Sequence, residues 1–133
     1  MELVGTNYAP GGRDPAAGFD CYGLMAYVRR EYYGRPSPVL GIPSPPIPST
    51  RAAALAIYLT LGGAERVGTK WFQVEPVGGS AVAMGNWSFS RLHHCGVLVG
   101  EGVMHALEGV GVVWTPHRRL SEIYARVEYF ECS

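Results

Sequence analysis

The sequence predicts an α+β domain in which N-terminal helices pack on one face of an antiparallel sheet of about five or six strands. Two observations support this class. The two longer helical patterns lie in the first half of the chain, and short strand-like runs joined by tight turns fill most of the second half. The chain has 133 residues, and we expect a single domain over 1–133.

The first helix is predicted over residues 20–33. Its apolar side chains recur at i, i+3, i+4, i+7 and i+11, which is one helical face, at Cys21, Leu24, Met25, Val28 and Tyr32. Arg29, Arg30 and Glu31 are expected on the solvent side. Asp20 is a good N-cap, and Gly34 suits the left-handed residue that ends a helix.

The remaining elements follow a connecting loop over 35–48, where six prolines exclude regular structure. A second helix is predicted over 51–61. Strands are then predicted over 71–75, 79–84, 93–99, 103–107, 111–114 and 127–130, with a short helix over 120–125 before the last of them. Two-residue connections such as Glu101-Gly102 favour hairpins of an antiparallel meander.

Composition excludes several classes of partner. Lys plus Arg equals Asp plus Glu, 11 of each, so no basic field attracts nucleic acid or an anionic membrane. No apolar run approaches the roughly 18 residues of a spanning helix, so we expect no membrane insertion. The N-terminus lacks the basic and apolar regions of a signal peptide, which predicts synthesis in the cytoplasm.

Cys21 is a candidate nucleophile because it follows the predicted cap, in the first turn of the helix. Free N–H groups and the helix dipole favour a thiolate there, and the thiolate is the reactive species. Cys21 also lies on the apolar stripe, so its position alone fits a buried core residue equally well. None of the three cysteines forms a C-x-x-C pair, which disfavours a structural zinc site.

Two histidines in consecutive predicted strands are candidates for a base and its orienting partner. Side chains alternate along a strand, so His94 shares a face with Gly96 and Leu98, and a hairpin turn brings His105 near it. Catalysis by a cysteine needs one ring nitrogen to take the thiol proton and the other to be held. Ordinary polar sheet residues would give the same pattern. A zinc site of Cys21, His94 and His105 has no matching ligand spacing.

Four short blocks resemble the NlpC family of cell-wall cysteine peptidases, which have a papain-like fold. The segment 19–24, Phe-Asp-Cys-Tyr-Gly-Leu, resembles the family's nucleophile motif. The segment 94–100, His-Cys-Gly-Val-Leu-Val-Gly, is similar to its His-Val-Gly-Ile-Tyr-x-Gly strand. Val-Met-His-Ala at 103–106 resembles the strand that follows, and Tyr-Ala-Pro-Gly-Gly at 8–12 resembles an upstream Tyr-x-x-Gly-Gly segment.

The resemblance implies a role for each of these positions. Cys21 would attack a peptide carbonyl, His94 would be the general base, and His105 would orient that base. Tyr8 and Asp20 would lie on the oxyanion and substrate side. The implied substrate is a peptidoglycan stem peptide, commonly at the bond from D-glutamate to diaminopimelate, and no metal or organic cofactor is implied.

Two departures from the family pattern bear on these assignments. His93 stands beside His94, and His94 is chosen because Gly96 follows it at +2, as the motif requires. The family usually has Pro-Gly-Asp before the histidine strand, whereas residues 78–82 read Gly-Gly-Ser-Ala-Val. Because that aspartate is generally structural, its absence affects strand positioning more than chemistry.

A finer resemblance links the chain to tail-tip peptidases of lambda-like phages, through the tyrosine after Cys21 and the strand continuing over 107–112. It implies synthesis in the bacterial cytoplasm without a signal peptide, then a place in the virion beside other tail-tip proteins. Two alternatives stay open. One is a non-catalytic structural component of the tail with the same fold, and the other is a related amidase or acyltransferase acting on lipids or small amides.

Overall fold

The computed structural model describes residues 2–35, 37, 71–86 and 91–132. It has two helices within these ranges, α1 at Cys21–Tyr33 and α2 at His117–Ile123. Its strands are β1 Arg13–Asp14, β2 Gly18–Phe19, β3 Trp71–Gln73, β4 Ala81–Asn86, β5 Arg91–Val99, β6 Gly102–Leu107, β7 Gly111–Pro116 and β8 Arg126–Cys132. The helix predicted over 51–61 and most of the 35–48 loop lie outside the described residues.

Helix α1 begins and ends where its capping residues predict. The Asp20 side chain accepts a hydrogen bond from the Gly23 N–H, which satisfies one of the free donors of the first turn. Gly34 ends the helix with φ of 62°, in the left-handed region that glycine adopts without steric cost. The predicted bounds of 20–33 are thus confirmed to within one residue.

One six-stranded antiparallel sheet contains most of the strand residues, in the order β3-β8-β4-β5-β6-β7. All six of these strands were predicted, and their bounds move by at most two residues. The β5–β6 hairpin turns through Gly100, whose φ is 61°. Strands β1 and β2 form a separate small hairpin that leads into α1 and was not among the predicted strands.

The sheet is covered on both faces. Helix α1 packs its apolar stripe, including Leu24, Met25 and Val28, on one face against side chains such as Val97 and Met104. On the other face, Leu120 of α2 and Tyr124 pack against Val82, Met84, Leu98 and Val103. The described helices therefore lie on opposite faces, and none of them is long and apolar enough to cross a membrane.

Arg29 departs from its predicted place on the solvent side of α1. It is completely buried, with Nη2 2.7 Å from Oε1 of Glu131 on β8 and Nη1 donating to the Gly79 carbonyl oxygen at 2.7 Å. Its Nε donates to Ser37 Oγ at 2.8 Å. Arg35 also pairs with Glu131. The prediction of an exposed Arg29 was wrong, because a guanidinium can be buried when its donors find acceptors.

Candidate active site

The candidate nucleophile, Cys21, is the first residue of α1 and is 1% exposed. The loop before the helix packs closely on its first turn. A Cβ on Gly23 would come within 1.9 Å of the Gly12 carbonyl oxygen, so only glycine fits there. This is a physical reason for the glycine two residues after the cysteine.

Asp20 holds that loop against the helix. Its carboxylate accepts from the Gly23 N–H at 2.7 Å, from the Gly11 N–H at 3.1 Å and from Arg13 Nη1 at 2.6 Å. The side chain of Asp20 is fully buried. Its carboxylate is therefore occupied in positioning Cys21, and a direct role toward substrate or oxyanion stays a prediction.

Tyr8 lies close to Cys21, as the resemblance implies. Its backbone pairs with Phe19, two residues before Cys21, through Ala9 N–H donating to the Phe19 carbonyl oxygen at 3.0 Å. Burial, and then the negative charge of a Cys21 thiolate, raise the pKa of Tyr8. The phenol is consequently a neutral hydrogen-bond donor near the sulfur.

The two histidines form a hydrogen-bonded chain that ends on a threonine. His94 Nε2 lies 2.8 Å from His105 Nδ1, and His105 Nε2 lies 2.9 Å from Thr115 Oγ1. Both histidines are at most 2% exposed. The two rings therefore meet, as expected from the hairpin, and their roles as base and orienting partner stay a prediction.

His94 keeps one ring nitrogen open. Its Nδ1 is buried and has no hydrogen-bond partner in the part of the chain that the structure describes. Tyr124 stacks on the ring, with centroids 5.8 Å apart and planes inclined by 29°. An unpartnered buried nitrogen is costly in a purely structural histidine and is what a proton acceptor requires.

His105, the middle member of this chain, is neutral, and one of its two neutral tautomers suits a general base at His94. Burial, and secondarily the neighbouring His94, lower the pKa of His105 to about 3. A neutral His105 that accepts at Nδ1 donates at Nε2 to the Thr115 hydroxyl. That tautomer leaves the proton of His94 on Nε2 and a lone pair on Nδ1, the arrangement of a general base.

Cys21 and His94 approach the site from different faces of the sheet. Register pairs His94 with Met84, on the α2 face, whereas Cys21 packs with Cys95 on the α1 face. Both are near Tyr124, which stacks on His94 and whose pKa rises to about 12 through burial and through the negative charge of Cys21. Tyr124 therefore lies at a place that is close to both groups.

The sheet is open at that place. Strands β5 and β6 pair near their shared turn, and the pair farthest from the turn is Val97 with Met104. His94 and His105 both lie beyond that pair. Gly96 stands at the divergence, where a Cβ would meet the Met104 carbonyl oxygen at 2.6 Å. A glycine two residues after His94 is thus needed for β6, which carries His105, to come close to β5.

The sequence reasoning missed Thr115 and Tyr124. Thr115 is opposite Val103 in the β6–β7 ladder, which makes it a diagonal neighbour of His105 on the same face. A polar residue on the inner face of a strand was the available signal, but it depends on knowing the register. Tyr124 follows α2, and nothing in the sequence indicates its contact with His94.

Two other expectations concern the same region. The side chain of His93, which competed with His94 in the motif, is outside the described part of the structure. Among the residues that are described, no group of three or more His, Cys, Asp or Glu side chains could hold a metal ion.

Acid is expected to destabilise the wild-type protein more steeply than a His105→Asn variant. The unfolded chain binds a proton on this histidine below about pH 6.5, whereas the folded protein binds it only near pH 3, so the free energy of unfolding falls between these values as pH drops. The loss is up to about 1.4 kcal/mol per pH unit. Urea unfolding of both proteins measures the two slopes, and equal slopes would contradict burial of a neutral His105.

Comparison with known proteins identifies the fold. No protein-family model matches the chain, and no curated protein matches it. The NlpC/p60 domain of the peptidoglycan hydrolase SagA superimposes with a TM-score of 0.52 at 21% identity, covering 99% of this chain and 90% of that chain.

A second solved structure agrees. A Staphylococcus aureus protein of the NLP/P60 family, described as similar to a lipoprotein, has a TM-score of 0.51 at 19% identity. The alignment covers 96% of this chain and 37% of that chain. The chain therefore has the papain-like α+β fold of NlpC/p60 domains.

Proposed function

We propose that this chain is a cysteine peptidase of the NlpC/p60 type that hydrolyses peptide bonds in the stem peptides of bacterial peptidoglycan. One observation carries the proposal. The chain from Thr115 through His105 to His94 leaves the buried Nδ1 of His94 open. Tyr124, which stacks on His94, also lies close enough to Cys21 for the negative charge of Cys21 to raise the pKa of that tyrosine. A cysteine at a helix N-terminus and an oriented imidazole are the two groups that thiol hydrolysis needs.

The reaction would be acyl transfer. His94 Nδ1 takes the thiol proton, and the Cys21 sulfur attacks the peptide carbonyl carbon to form a tetrahedral oxyanion. The Cys21 backbone N–H, with the Tyr8 hydroxyl nearby, stabilises that oxyanion. The oxyanion collapses to a thioester as the C–N bond breaks, and the imidazolium gives its proton to the leaving amine. Water, deprotonated by His94, then hydrolyses the thioester and regenerates the thiol.

His105 and Thr115 are positioning residues in this scheme. When His94 carries two protons, its Nε2–H donates to His105 Nδ1, 2.8 Å away. The neutral state of His105 keeps that acceptor available, because an imidazolium at 105 would repel the one at 94. The imidazolium that forms during proton transfer is thereby stabilised and held in one orientation.

The substrate class is supported by likeness and not by a bound ligand. SagA is described as a peptidoglycan hydrolase, and the sequence blocks around Cys21 and His94 resemble cell-wall peptidases. Cys21 is only 1% exposed, so the side chains over the sulfur have to move before a peptide carbonyl reaches it. The negative charge of Cys21 raises the pKa of both Tyr8 and Tyr124, so these two phenols lie near the sulfur.

We place this activity in a phage or phage-like tail tip, where the enzyme would open the wall during penetration and contact other tail-tip proteins. The finer resemblance of the sequence supports this location. Mass spectrometry of purified phage particles from the source strain would detect the chain in the tail, and its absence from intact particles would refute the location without affecting the chemistry.

Digestion of purified peptidoglycan tests the function. We expect new amine termini and fragments whose masses correspond to cleavage within stem peptides, with glycan strands left intact. The same preparation is offered phospholipid and small amide substrates in parallel. Turnover of those substrates alone would favour the amidase or acyltransferase alternative, and an inert protein whose Cys21 shows no preferential alkylation would favour a structural tail component.

A further inference from the structure

A second thiol lies against the candidate nucleophile. Cys95 follows His94 on β5 and points to the opposite face, where it joins Cys21 in the core cluster beneath α1. Within this cluster the Cys21 side chain lies in hydrogen-bonding reach of the Cys95 thiol. Neither cysteine is in a disulfide, and their exposures are 1% and 3%.

The surroundings of Cys95 call for an apolar side chain and not for a thiol in particular. Its neighbours in the cluster include Ala81, Val97 and Ala106. The NlpC motif that this strand resembles has valine at this position, between the histidine and the glycine. Valine would satisfy the packing, so what cysteine adds here is a second sulfur in contact with the first.

We infer that Cys21 and Cys95 form a reversible disulfide that takes the nucleophile out of action under oxidising conditions. The contact between the two sulfurs carries the inference, and only its consequence for hydrolysis rests on the proposed function. An S–S bond is about 2.05 Å long, so closing it requires the thiols to approach more closely than a hydrogen bond brings them.

Hydrogen peroxide is the oxidant class that fits such a small buried site. The Cys21 thiolate attacks one peroxide oxygen, the O–O bond breaks, and hydroxide leaves, which gives a sulfenic acid at Cys21. The Cys95 sulfur then attacks the Cys21 sulfur, the S–O bond breaks, and the departing hydroxide takes the Cys95 proton as water. The two thiols lose two electrons in total, and peroxide is reduced to water.

The two cysteines are not equivalent in this reaction. The hydrogen bond to Cys21, followed by burial, raises the pKa of Cys95. Cys95 is therefore the protonated partner that resolves the sulfenic acid, and Cys21, at the helix N-terminus, is the sulfur that peroxide attacks first. A small-molecule dithiol would reverse the process by thiol–disulfide exchange.

Peptide mapping without reduction tests the inference directly. The full-length protein is treated with hydrogen peroxide, remaining thiols are blocked with iodoacetamide, and the chain is cut with trypsin. Cleavage after arginine places Cys21 in the peptide 14–29, Cys95 in 92–118 and Cys132 in 127–133. We expect peptide 14–29 joined to 92–118, and a loss of at least about tenfold in alkylation of Cys21 that dithiothreitol restores.

Cys95→Val is the matched control, because it keeps the packing and removes the second sulfur. In this variant Cys21 should proceed to sulfinic acid, so dithiothreitol should no longer restore its alkylation. Absence of the 14–29 to 92–118 link in the wild type, a link to 127–133 in its place, or full recovery in Cys95→Val would each overturn the inference. The link can form even when peptidoglycan is not cut, so failure of the proposed function is read out separately.

Discussion

Cys21→Ala is expected to reduce peptidoglycan hydrolysis below detection, a loss in kcat on the order of 10³-fold or more. The reason is that the substitution removes the sulfur that forms the thioester, and the neighbouring thiol of Cys95 lies on β5 and not at the helix N-terminus that favours a thiolate. Cys21→Ser should be nearly as inactive, because His94 is arranged to receive a thiol proton and the hydroxyl is a much weaker acid. Release of soluble fragments from purified cell walls measures the loss.

Stability measurements separate chemistry from folding in this experiment. Cys21 belongs to the buried core, so urea unfolding of both variants has to show a folded protein under the conditions of the assay. Cys132→Ala, at the end of β8, is the matched control and should hydrolyse walls at the wild-type rate. Retained hydrolysis in folded Cys21→Ala would remove Cys21 from its role as nucleophile.

Arg29→Ala should lower the free energy of unfolding by about 3 kcal/mol, without touching any group assigned to the chemistry. The substitution leaves the Gly79 carbonyl oxygen without the donor that lies 2.7 Å away, and removes the guanidinium 2.7 Å from Glu131. Burial by itself raises the pKa of Glu131. The hydrogen bonds and positive charges of Arg29 and Arg35 outweigh this effect and lower the pKa overall, so the carboxylate stays ionised. A fall of roughly 10 °C in Tm would accompany the loss.

Arg30→Ala is the control for this prediction, since it removes the same side chain one position along α1. Arg30 pairs with Glu31 at the surface, where both side chains are about half exposed, and such pairs contribute at most about 1 kcal/mol. Arg29→Lys should have an intermediate stability, because it keeps the positive charge but lacks the planar set of N–H donors of the guanidinium. Equal stabilities for Arg29→Ala and Arg30→Ala would show that the buried network contributes nothing measurable.

Local patterns in the sequence predicted most of the fold. Helix α1 could be bounded because its cap, its apolar stripe and its terminal glycine are all adjacent in the chain. The strands of the main sheet were recognisable from alternation and turn residues, although the small hairpin β1–β2 was not. The 51–61 helix remains a prediction, since it falls outside the described residues.

The site was predictable only in part. Tyr8, Cys21, His94 and His105 could be named because short motifs carry them, and alternation along β5 correctly placed His94 with Gly96 and Leu98. Their mutual geometry could not be derived, because it depends on where β5 and β6 stop pairing. The sequence also says nothing of a Cys21–Cys95 contact, since two residues 74 positions apart meet only when α1 packs on the sheet.

What the sequence determined by itself is therefore the main strands and the first helix, and it named the candidates for the reactive groups, since both depend on neighbours within one turn or one strand. Only the tertiary structure decided which surfaces became interior. It buried Arg29 against β8, joined Thr115 to His105 and brought Tyr124 onto His94. The physical reason is that burial and hydrogen-bond partners come from packing between distant segments, and the packing sets the protonation state and orientation of each group.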